Sequence, residues 1–125
     1  MKNGGQVQHS TTRCVVCGRA LSQPGYVVPG VGEVGPECRQ RVAVLEAVAQ
    51  MVGLRDALYG GAWVPDEVDD LRVYRFTLWT REAGLRVEVS KVPGGTWVHL
   101  RGVESPKALR RALDTWARKM EVVHD

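Results

Sequence analysis

Cys14 and Cys17 stand two residues apart, and Cys38 follows a stretch rich in glycine and proline. Two thiols at that spacing can grip one metal ion from a single backbone turn. Gly18, directly after the second thiol, allows the positive φ that such turns require. Cys38 follows Gly35-Pro36-Glu37, which reads as the entry of a helix, because proline suits a first helical position whose N–H needs no partner. A thiolate is favoured there by the helix dipole. The pattern points to a structural zinc site held by Cys14, Cys17 and Cys38.

A closed structural site takes four donors, and the chain has three cysteines. The positions three before and three after Cys38 are Gly35 and Arg41, neither of which ligates zinc. His9 is the first choice for the fourth ligand, ahead of His99, His124, Glu33 and Glu37. An open fourth position holding water would admit catalysis, but no general base stands near it and no nucleophile elbow surrounds any serine. The chain therefore reads as non-enzymatic. An odd number of cysteines without an apolar leader favours reduced thiols over a disulfide framework and a cytoplasmic setting.

The elements that must position these thiols follow from patterning. The 125 residues are 44% apolar and 25% charged, an ordinary globular balance. Charge is uneven: residues 1–60 carry +2, residues 61–70 carry −4 and residues 71–125 carry +5. The basic surplus could meet a polyanion. After a polar flexible tail (1–12), residues 13–60 read as a zinc knuckle, treble-clef-like, with Tyr26-Val27-Val28 as a short strand pairing back near Leu21. A helix follows over 37–59, with Val44, Leu45, Val48, Met51, Val52 and Leu58 as its apolar stripe. Residues 61–70 form an acidic linker, in which Asp66, Glu67, Asp69 and Asp70 fit a solvated segment better than a cation site.

From residue 71 the apolar period becomes two, which predicts strands near 71–81, 85–92 and 96–103 in an antiparallel meander. Ser105-Pro106 starts a last helix with an apolar stripe of Leu109, Ala112, Leu113, Trp116, Ala117 and Met120. The expected class is α+β: knuckle and helix, then a βββα unit over 71–125. The string Gly30-Val31-Gly32-Glu33-Val34-Gly35 matches a dinucleotide fingerprint, but it lies between metal ligands and lacks a βαβ unit, so it reads as a loop.

With one sheet face packed on the last helix, the other would show Arg75, Trp79, Arg81, Arg86, Trp97, His99 and Arg101. Tryptophans among arginines suit the stacking of bases and the holding of phosphates. The same residues could form a protein-interaction patch, or lie in a core under helix 37–59. Arg110 and Arg111 add a basic outward side to the last helix, together with Lys107 and Arg118.

The string Cys-x-x-Cys-Gly-Arg-x-Leu, followed by Gly-Pro-x-Cys, resembles small zinc-knuckle segments in uncharacterised bacterial and phage proteins. The resemblance covers about residues 13–41. Those segments usually carry Gly-x-Gly-Pro before the last cysteine, whereas here Gly32 sits one place early. The resemblance implies zinc ligation by Cys14, Cys17 and Cys38 and no particular chemistry. The functional expectation is a zinc-containing binding protein that contacts nucleic acid, or a nucleic-acid-associated protein. A protein-interaction module, such as a phage-type modulator of a host enzyme, is the alternative.

Overall fold

The computed structural model of the chain describes residues 13–69 and 71–124. It is a mixed α+β structure with two small antiparallel sheets. The first is a hairpin of β1 (Tyr26–Val28) and β2 (Gly32–Val34), with Val28 and Val34 buried. Tyr26 pairs with Val34 and not near Leu21, because the Pro29–Val31 turn brings the two valines together; the bridge between Arg13 and Ala20 closes the cysteine turn instead. A 3-10 turn over Pro36–Cys38 leads into α1 (Arg39–Met51). The helix is shorter than the sequence pattern suggests: Gly53 at φ 73 breaks it, and a 3-10 turn over Arg55–Leu58 follows. Its buried side is Val42, Leu45 and Ala49, so the stripe is rotated away from Met51, which is exposed.

The second sheet has the order β3-β5-β4, where β3 is Ala62–Pro65, β4 is Leu85–Val92 and β5 is Gly95–Val103. The β4–β5 hairpin turns at Pro93-Gly94, with Gly94 at φ 81, as the spacing predicted. The third strand is not where the period of two placed it. Residues 72–82 form helix α2 (Arg72–Glu82), and the supposed linker supplies β3. Val73, Phe76, Thr80 and Ala83 are the buried positions, a spacing of three and four that only a helix satisfies. Thr80 can face the core because its hydroxyl donates to the Phe76 carbonyl at 2.8 Å. Gly84, expected to turn a hairpin, instead ends α2 at φ 76 with its N–H on the Arg81 carbonyl. Pro65 can end β3 because β3 is an edge strand.

Helix α3 (Pro106–His124) closes the fold. Its first turn is capped as the sequence indicates, with Ser105 Oγ accepting from the Ala108 N–H at 3.2 Å. Leu109 and Leu113 are fully buried, and α3 packs against α1. One continuous buried cluster runs from Cys14, Val16 and Cys38 through Leu45 and Leu58 to Val98, Leu100, Leu109 and Leu113. The Gly30 turn also joins the second sheet: Gly102 N–H donates to the Gly30 carbonyl at 2.9 Å, and Gly30 N–H to that of Leu58 at 2.7 Å. Among the described residues, no helix is long and apolar enough to cross a membrane.

Candidate metal centre and open sheet face

The cysteine turn is fixed by its own backbone. Gly18 N–H donates to the Cys14 carbonyl at 2.8 Å and Cys14 N–H to that of Arg19 at 2.9 Å, with Gly18 at φ 80. Val15 N–H reaches the Glu33 carbonyl at 2.9 Å and fastens the turn to β2. Cys38 arrives from the 3-10 turn, its N–H on the Gly35 carbonyl at 3.0 Å. The result brings the Sγ atoms of Cys14, Cys17 and Cys38 within 4.8 Å of one another. Tetrahedral coordination at a Zn–S distance of about 2.3 Å sets thiolates about 3.8 Å apart, so this donor set fits one ion after small side-chain adjustments.

The surroundings prepare two of the sulfurs differently. Burial pushes the Cys14 thiol up, but the amides of Gly35, Cys17 and Val16 outweigh that and bring it from 9.0 down to about 7. Burial pushes Cys38 up to about 11, with Cys14 and Cys17 adding to the rise and Arg41 opposing it. Arg41 Nη1 lies 3.5 Å from Cys38 Sγ, while its Nε donates to Asp114 Oδ1 on α3 at 3.0 Å. Arg41 is no donor itself, but it contacts a candidate donor: Asp114 first and the Cys38 sulfur second keep it more firmly cationic.

Three residues that could ligate one ion cluster among the described residues. Of the proposed fourth donors, Glu37 is paired with Arg19 at 2.6 Å and Glu33 accepts from the Gly25 N–H. His99 lies on β5 beside Glu88, 3.1 Å from its carboxylate, and is not part of the cluster. His9 and the side chain of His124 lie outside the described residues. A groove of about 600 Å³ opens beside the sulfurs, lined also by Leu21, Tyr26, Pro36 and Arg39.

The expected Trp/Arg face is divided between elements. Arg75, Trp79 and Arg81 belong to α2 and do not lie on the sheet, because 72–82 is helical. Trp97, His99 and Arg101 do share the outward side of β5, and Arg86 lies on β4. Helix α1 leaves this side open: Trp97 is 37% exposed. Directly opposite it stands Trp63 on β3, 51% exposed, which the sequence reading assigned to a linker. The alternation of buried Ala62 and Val64 with exposed Trp63 was the available signal. Each ring lies over a neighbouring glycine: a Cβ on Gly61 would run into Trp97, and one on Gly95 would meet Trp63 Nε1 at 2.7 Å. Further along the face, Arg101 donates to Glu88 at 3.2 Å and Arg86 to the Val103 carbonyl at 3.4 Å. Arg110 is not an outward residue, since its guanidinium donates to the Val16 carbonyl at 2.6 Å; Arg111 is exposed. Asp66 pairs with Lys91 at 2.8 Å, as a surface charge does.

No family model, curated protein or solved structure gives a significant match to the chain. The function must be read from the site itself.

Proposed function

We propose that the chain is a zinc-stapled binding protein whose open sheet face receives single-stranded nucleic acid. The zinc reading rests on three thiol groups converging from a turn and a helix entry, with an arginine beside one of them. The resemblance of residues 13–41 to zinc-knuckle segments favours the same ion. Zinc bound there supplies folding free energy, since it ties the start of the chain to α1.

The binding reading is carried by one observation, the opposed pair Trp63 and Trp97 on the solvent side of the sheet. Exposed indoles cost solvation unless something stacks on them, and bases stack on them without regard to sequence. Arg86 and Arg101 lie along the same side and can meet phosphates. Glu88 lowers the positive potential there, which favours a weak, stacking-led contact. In this reading, Arg75, Trp79 and Arg81 take no part in the stacking surface. No metal-borne chemistry is required of the protein.

The test is fluorescence anisotropy with labelled single strands and duplexes, using protein of known zinc content. Binding to single strands that weakens steeply with salt, and that is lost in Trp63→Ala and Trp97→Ala variants of unchanged fold, is expected. No binding to any nucleic acid at about 50 mM salt defeats the reading.

A further inference from the structure

Helix α2 buries Val73, Phe76 and Thr80 and turns a second apolar line outward. Tyr74 is 62% exposed and Leu78 44%, one helical turn apart on α2, and Leu71, 58% exposed, stands directly before the first helical residue. Leu71 is also the one non-glycine residue with positive φ among the described residues, at φ 65. A left-handed leucine held in water is strained and gains nothing from burial within its own chain. Arg75 and Arg81 flank the line and make no ion pair among the described residues. The segment just before the helix carries the opposite charge: Asp66, which pairs with Lys91, Glu67, and Asp69, whose carboxylate accepts from the Val73 N–H at 3.3 Å. Glu82, at the far end, is the one acidic residue within α2.

We infer that the solvent side of α2 docks on the α2 of a second copy of this chain, antiparallel and about a two-fold axis. The patch is complementary to itself. Reversing one helix against the other sets the Arg81 end of each copy beside the acidic start of its partner. It also sets Tyr74 of each copy near Leu78 of the other and covers Leu71. A two-fold contact must be complementary to itself, and Arg81 of each copy supplies this by facing the partner's acidic stretch, with Glu82 beside it at the same end. The three apolar side chains and two arginines from both copies bury roughly 1,000 Å², the lower limit for a specific interface. A contact of that size belongs with weak, reversible associations. An unrelated nucleic acid would satisfy the arginines but leave the leucines in water.

Sedimentation velocity on the zinc-loaded full chain tests this over a concentration series. A monomer–dimer equilibrium with a Kd of roughly 10–100 µM is expected. Leu78→Glu should give monomer at every concentration. Arg81→Glu should weaken the dimer about tenfold, and adding Glu67→Arg should restore it, because the pair exchanges its charges. All three positions are exposed, so circular dichroism should show the fold unchanged. A wild-type chain that stays monomeric overturns the inference. So does a dimer that survives Leu78→Glu, or a charge exchange that restores nothing. Binding of an added acidic, apolar peptide by a chain that remains monomeric would assign the surface to a foreign partner instead.

Discussion

The guanidinium of Arg110, in the last helix, donates at 2.6 Å to the carbonyl of Val16, inside the cysteine turn. Val16 is the residue before Cys17, so α3 braces the backbone that presents the thiols. The Arg41–Asp114 pair makes a second tie between α3 and the Cys38 sulfur. Asp114→Asn should therefore loosen Arg41 and weaken zinc affinity about tenfold, the lower end of what outer partners of ligands contribute. Competition with a chromophoric chelator measures it. An affinity equal to wild type would show that the pair does not support the site.

Removing the metal should affect more than the knuckle. Cys14, Cys38 and Val16 belong to the same buried cluster as Leu109 and Leu113. Chelation, or Cys38→Ser, should lower the melting temperature of the whole chain by more than about 10 °C, since structural zinc sites contribute several kcal/mol to folding. The near-ultraviolet signal of the tryptophans should fall in the same transition. Elemental analysis of wild-type protein should give one zinc per chain.

The metal-free fold should respond to pH through two thiols in opposite directions. Folding lowers Cys14 from 9.0 to about 7, so its stabilisation is complete above 9.0 and is lost as pH falls through 7. Folding raises Cys38 from 9.0 to about 11, so its stabilisation is complete below 9.0 and is lost as pH rises through 11. These two groups together place the best stability of the reduced, metal-free chain near pH 9. Denaturant midpoints against pH should show both limbs, and Cys14→Ser should flatten the acidic one. In the metal-bound chain, protons compete with the ion, so zinc should leave on acidification.

Gly61 should tolerate no side chain. Its φ is 132, and a Cβ would run into the Trp97 ring. Gly61→Ala should cost about 2 kcal/mol or more through backbone strain and overpacking. It should also shift tryptophan emission, because Trp97 must leave its place opposite Trp63. A fully stable variant with unchanged emission would show that Trp97 does not rest on this glycine.

The parts of the molecule that the sequence made legible are those where local chemistry has one meaning. Cys14-x-x-Cys17-Gly18 can only be a tight turn, Pro93-Gly94 turns a hairpin, and Ser105-Pro106 starts a helix; each stands where expected. Residues 72–82 failed because Val, Tyr, Phe, Thr and Trp favour strands, and two periods were written over one another. Tyr74, Phe76 and Leu78 alternate, but only Phe76 is buried; the buried set 73, 76, 80 and 83 follows the helical period. Packing chose between them. The meander would have set these residues along the outer edge of β4, where no strand lies among the described residues, and as a helix they bury Val73, Phe76 and Thr80 together.

The candidate site divided along similar lines. Cys14, Cys17 and Cys38 come together because each is fixed by its own short turn. The proposed basic face did not survive as one surface, because Arg75, Trp79 and Arg81 depended on the mistaken strand and Arg110 turns inward. Trp63 was hidden by brevity: four residues ending in proline beside four acids resemble a linker more than a strand.

The bond from Gly102 to the Gly30 turn, with α3 lying on α1, bears on how such a knuckle can be reused. It is no portable cassette. Grafted into a foreign host as residues 13–60, it would carry the uncovered flank of its helix into water and bring its ligands without the scaffold that aligns them. Divergence in this architecture should therefore collect on the exposed sheet and on α2, while the cysteine turn and the closing helix change together.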